Sequence, residues 1–223
     1  MIIYLYFYLI SFSLIGYGFL INRMLSIKAS DFGSLGILGI TFLSIISYFT
    51  SFFFKHGYIL NSIFLILGII LFIINIKKIK NFKKEIFLFL IVFLFLLLFI
   101  LVGKNHDDFS YYHFPYSILL TEFSHPIGLG QLNNGFRSPS SIFFINSMFY
   151  LPGIKYYSFH FAAAYIFGFA NLILLKFIFD KEIYKSKKFI NFLSLISLIF
   201  INIFFYRLAE HGTDRSGMIL TIL

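Results

Sequence analysis

The sequence predicts an all-α integral membrane protein, and three observations predict it. Apolar residues make up 60% of the chain and charged residues 12%, and the mean hydropathy is +0.91. A soluble domain is nearer half apolar and about a quarter charged. The apolar residues fall in runs of about 20, enough for a helix to cross roughly 30 Å of hydrocarbon. The charges gather in the short stretches between those runs, where lysine and arginine set topology. Helix is the open-ended structure that satisfies its own backbone in lipid.

Six spans are expected. Ile2 to Ile21 is the first; it lacks a basic leader and a small-residue cleavage site, so it reads as a retained span. Gly33 to Phe54, Tyr58 to Ile76 and Ile86 to Val102 follow, the last without a polar residue. A long polar segment intervenes, Gly103 to Pro152, and then come Tyr156 to Phe179 and Phe189 to Tyr206. The closing run Ser216 to Leu223 is far too short to cross, so a seventh span is expected to begin there, in an N-terminal portion of a longer protein. The chain reads as one polytopic domain over 1–223, with a three-helix N-terminal part (1–84) and a core (85–223) carrying an outer loop (103–155).

Alternating spans place Arg23, Lys28, the lysines of 77–84 and those of 176–188 on one side, twelve basic residues against six on the other. The richer side is therefore cytoplasmic. The net charge of +9 is absorbed by this bias and implies membrane lipid, not nucleic acid, as partner. The absence of cysteine excludes a disulfide framework and a thiolate metal site. The same alternation sends two polar stretches to the outer face: the 103–155 loop, and Arg207-Leu-Ala-Glu-His-Gly-Thr-Asp214.

Inside the loop, Pro115 suits a first helical turn and opens a helix to Phe123. Ser138 with Pro139 is expected to start a second, running to about Leu151 and lying in the interface or re-entering. Asp107 and Asp108 sit directly after the fourth span, with His106, Tyr111, Tyr112 and His113 within two turns. A carboxylate there can be a helix cap, a general base toward a hydroxyl, or an oxygen ligand to a divalent cation such as Mg or Mn. Glu210, His211, Asp214 and Arg215 form the second cluster, either plain outer-loop polarity or part of a shared site. Lys104, Arg137, Arg207 and Arg215 can contact lipid headgroups or hold a lipid-linked phosphate. The histidine spacing matches no zinc pattern. Lys176 is expected to snorkel, and Asn171, Asn191 and Asn202 to bond between helices. His56 and His125 offer no partner in the sequence.

The acidic pair after a span, the aromatics behind it, and two short helices flanking a Gly/Pro turn resemble the GT-C superfamily of polytopic membrane glycosyltransferases. The resemblance covers Lys104 to about Phe161. It implies that Asp107 or Asp108 is the catalytic base. It also implies a sugar donor linked to polyprenyl phosphate, and a site on the outer face of a bacterial inner membrane. One departure is that three additional spans precede the loop, which in that superfamily follows the first span. The pair HDDFSYYH and AEHGTD also resembles bacterial membrane proteins that carry no assigned activity. Two other classes fit the pattern: a transporter or lipid-carrier flippase, which needs ionisable groups near the midplane, and a non-catalytic scaffold subunit. Convergence of Asp107, Asp108 and Asp214 on one outer cavity separates the enzyme from the scaffold.

Overall fold

A computed structural model describes residues 2–79, 81–102, 107–125, 127–180, 187–205 and 213–223. These residues are helical and contain no strand. The long elements are α1 (Ile2–Met24), α2 (Phe32–Ser51), α3 (Tyr58–Asn75, extended by a 3₁₀ turn over Ile76–Lys78) and α4 (Phe82–Val102). The loop then contributes α5 (Phe114–Glu122) and α6 (Ser141–Met148). After it come α7 (Phe161–Phe179), α8 (Lys188–Phe204) and α9 (Thr213–Ile222). Four helices among the described residues are long and apolar enough to cross a membrane: α1, α2, α3 with its 3₁₀ turn, and Tyr156–Phe179 around α7. The expected sixth span is a shorter apolar helix of 17 residues.

The core is aromatic. Phe7 stacks on Tyr165 with ring centroids 5.0 Å apart, and the Tyr165 hydroxyl donates to the Phe7 carbonyl at 2.9 Å, tying α1 to α7. Phe89 and Phe93 of α4 lie between these helices. The helix α1 packs along α2 and α3, and α7 along α2, α4 and α8. By contrast α3 leaves Ile59, Ile63, Ile66, Ile70 and Ile73 exposed, a stripe of the kind that hydrocarbon covers.

One end of the bundle is fixed by charge. Asp31 caps α2, accepting from the Ser34 amide at 2.8 Å, and pairs with Lys176 of α7 at 2.7 Å. Glu85 of α4 accepts from the Phe32 amide at 3.1 Å. Lys176 is thus tied to a buried carboxylate, which corrects the expectation that it only snorkels; the Asp31 side chain waits at the reach of its stem. The asparagines behave as expected: Asn202 donates to Asn171 at 2.6 Å, and Asn191 to the Phe177 and Ile178 carbonyls.

The opposite end holds the folded loop. Its first helix falls where Pro115 places it, with the proline in the opening turn. The second departs from the sequence reading. It starts at Ser141 after the N-cap Ser140, ends at Met148, and is buried from Ile142 through Met148. A helix buried on every side belongs inside a protein, and α6, with Asn146 and Ser147 buried among its apolar residues, packs against α2, α5 and α7 and does not lie in an interface.

Candidate functional site

The candidate site is built on a wide turn. Over Phe109–His113 the backbone takes one π-helical turn, with the Phe114 amide bonded to the Phe109 carbonyl five residues back. Such turns rotate what precedes them relative to the helix that follows, and they recur at functional positions. Here the turn leaves Asp107 exposed, Asp108 and Tyr112 half-buried, Tyr111 exposed and His113 buried. The Ser110 hydroxyl bonds the Asp107 carbonyl at 3.1 Å, and Asn133 donates to the Tyr111 carbonyl at 3.2 Å, anchoring the turn to the link between α5 and α6. Gly135 lies against the Tyr112 ring, too close for any side chain. His113 packs its ring 4.9 Å from Phe143 of α6.

Tyr112 reports what surrounds it. Its phenol is pushed above the usual value first by burial, then by the negative charges of Asp108 and Asp214, and by a hydrogen bond to the Asp108 side chain. Asp108 comes from the loop after α4, and Asp214 from the first turn of α9, where a carboxylate suits the helix N-terminus. Asp108 and Asp214, separated by roughly a hundred residues, therefore both act on one tyrosine. Tyr112 stays protonated near neutrality and offers its proton to Asp108.

Beside this cluster runs a groove of about 550 Å³. Its walls are the outward face of α2 (Thr41, Ser44, Tyr48), the N-terminus of α6, and Thr213, Ser216 and Leu220 of α9. Thr213 precedes Asp214 in the chain, though Asp108, Tyr112 and Asp214 are not among the groove's lining residues, and Pro139 continues the groove into a second hollow holding Arg137 and His125. Arg137 itself is exposed and bonds the Gly130 carbonyl at 3.3 Å. Arg215 follows Asp214 and is half-buried. Lys104, His106, Arg207, Glu210 and His211 lie outside the described residues. Among the described residues no three His, Asp or Glu side chains group closely enough to hold a metal ion.

Two histidines that looked idle in the sequence are structural. His56 is fully buried, its Nδ1 2.6 Å from the Ser147 hydroxyl and its Nε2 3.1 Å from that of Thr50. Its amide donates to the Leu120 carbonyl at 2.8 Å, so one residue ties the α2–α3 turn to α5 and α6. His125 stacks on Phe52 at 4.4 Å, with Nδ1 3.2 Å from the Ser51 hydroxyl. A histidine just after a span was the available signal for His56, but its partners lie 6 and 91 residues away, and the Ser51 partner of His125 lies 74 away.

These features define an all-helical protein of membrane type, with a polar cluster at one end of the bundle. The chain belongs to the family described as domain of unknown function DUF8201, which it matches over residues 1–223. No curated protein and no solved structure matches it.

Proposed function

We propose that this protein is a multi-pass membrane glycosyltransferase of GT-C type, moving a sugar from a polyprenyl-phosphate carrier to an acceptor hydroxyl at the outer face of a bacterial inner membrane. In this reading α4 and α8 also span, giving six crossings. The carrying observation is Tyr112, whose phenol stands in the field of Asp108 and Asp214 together. Asp108 is the base: half-buried and hydrogen-bonded by Tyr112, it is held in place, whereas Asp107 is exposed. It takes the acceptor's proton as the oxygen attacks the anomeric carbon, and the bond from that carbon to the carrier phosphate breaks. Arg215 and Arg137 meet the charge on the departing phosphate. The groove beside Thr213 is apolar enough for the isoprenoid chain, and supports a lipid-linked donor over a soluble one.

The test is sugar transfer from a lipid-linked donor by the full chain in native membranes. Asp108→Asn is expected to lower transfer on the order of 10²- to 10⁴-fold, the usual worth of a positioned base. Asp107→Asn is expected to cost less than tenfold. Wild-type rates in both variants overturn the reading.

A further inference from the structure

A second groove lies on the same end of the bundle, away from the acid cluster. It is about 790 Å³, with Ile59, Leu60 and Ile63 of α3 as its floor and Lys55, Thr121, Ser124, Tyr58 and Tyr150 at its mouth. The floor continues into the exposed isoleucine stripe of α3. Phe53 and Phe54, 76% and 60% exposed, project beside Lys55 as interfacial aromatics do. The floor of this groove is apolar and its mouth polar.

The polar groups at the mouth divide by what they still offer. Lys55 has no ion-pair partner among the described residues, and Ser124 makes no hydrogen bond there. Tyr58 and Tyr150 stack at 4.5 Å and share one hydrogen bond of 3.0 Å between their hydroxyls, which leaves the pair one phenol proton to donate. Those three are donors. On the other side, the Thr121 hydroxyl spends its proton on the Ile118 carbonyl at 2.7 Å and retains lone pairs only. Its neighbour Glu122 ends α5, is exposed and lacks an ion-pair partner among the described residues. Its charge reaches Tyr150, whose phenol is pushed up to about 12, first by the Tyr58 hydrogen bond.

One ligand answers both halves: an anion flanked by a primary ammonium, over two hydrocarbon chains. The geometry points to a binding site for an aminophospholipid of the phosphatidylethanolamine class, its phosphate on Lys55, Ser124 and Tyr150 and its ammonium on Glu122 and Thr121. An anionic lipid without the amine meets Lys55 but is repelled by Glu122. A choline headgroup satisfies the charges but has no N–H to donate. This site stands independently of the glycosyltransferase reading.

The chain contains no tryptophan, so one introduced residue reports locally. Ile63→Trp places it in the groove, and Ile73→Trp on the same exposed stripe serves as the bulk-lipid reference. Each full-length variant is reconstituted with dibrominated phosphatidylethanolamine, phosphatidylcholine or phosphatidylglycerol, and quenching is compared. The groove reporter is expected to prefer the ethanolamine lipid about fivefold, the worth of one charge-assisted hydrogen bond, and the reference to show no preference. Glu122→Gln is expected to erase the ethanolamine-over-choline preference, and Lys55→Gln to weaken all three lipids at the groove. Equal quenching by the three lipids, or a preference for phosphatidylglycerol, overturns the proposal.

Discussion

His56 shows how much one side chain can join. Burial holds its imidazole down to about 4 from the ordinary 6.5, outweighing a Ser47 carbonyl that favours the charged form. The neutral ring has one proton to donate, and its two hydroxyl neighbours spend their own protons on backbone carbonyls, Ser147 on Phe144 and Thr50 on Ile46. The unfolded chain binds this proton at about 6.5 and the folded one only at about 4, so between those pH values the unfolded state holds more protons. Stability is therefore complete above pH 6.5 and falls as pH drops toward 4, by up to about 3 kcal/mol at ~1.36 kcal/mol per pH unit. Thermal unfolding in detergent at pH 7.0, 5.5 and 4.5, values chosen to bracket that window, is expected to show this slope. His56→Gln is expected to flatten it while lowering the midpoint at pH 7, and an unchanged slope would assign the acid sensitivity elsewhere. Next to it, the two N–H groups of the Asn61 amide serve the His56, Ser147 and Tyr150 carbonyls, all 2.8 Å away, so one N–H is shared. Its Oδ1 faces a cavity of about 10 Å³, close to the room one water needs. None of this was legible in the sequence, because a buried hydrogen-bond set is specified by residues from four segments and carries no local spacing.

At the scale of elements, the long apolar helices were legible and the loop helices only in part. α1 to α4 and α7 follow from apolar runs bounded by charged or turn residues, signals carried within each segment. The opening of α5 followed from Pro115. α6 was misplaced because Pro139 and two serines precede it, and the one that caps is Ser140 and not Ser138. Its depth was missed because an eight-residue apolar run reads alike in an interface and in a core. How closely the long helices approach was equally hidden, and glycine sets it. At Gly39 of α2 a side chain would collide with the Leu14 carbonyl of α1. Gly217 of α9 has open space around it. Gly39→Ala is therefore expected to separate two helices and lower the unfolding midpoint, whereas Gly217→Ala is expected to be neutral or to add about 0.5–1 kcal/mol through helix propensity. Equal midpoints for the two variants would show that the α1–α2 contact is slack.

Across the whole molecule, the site depends on where helix ends come to rest. Asp31, Glu85 and Lys176, from the starts of α2 and α4 and the end of α7, meet at one end of the bundle. His56, Leu120 and Ser147 meet at the other, with Tyr112, Asp108 and Asp214 on the same loop assembly. Alternation of the spans predicts that the two acid stretches share a face; that Asp108 and Asp214 both act on Tyr112 is visible only in the fold. The cysteine-free chain makes this testable without further engineering. Asp108→Cys and Asp214→Cys, introduced singly, are expected to react with a membrane-impermeant maleimide on intact cells. Lys83→Cys, in the basic segment at the far end, is expected to react only after permeabilisation. The double variant with a protease site inserted between Asp180 and Lys187 extends the test to proximity. A short-arm bifunctional thiol reagent is expected to hold the two proteolytic fragments together on a denaturing gel. Separation of the fragments, or labelling of the two cysteines from opposite sides of the membrane, would leave Asp108 without its counterpart and remove the basis for a shared outer site.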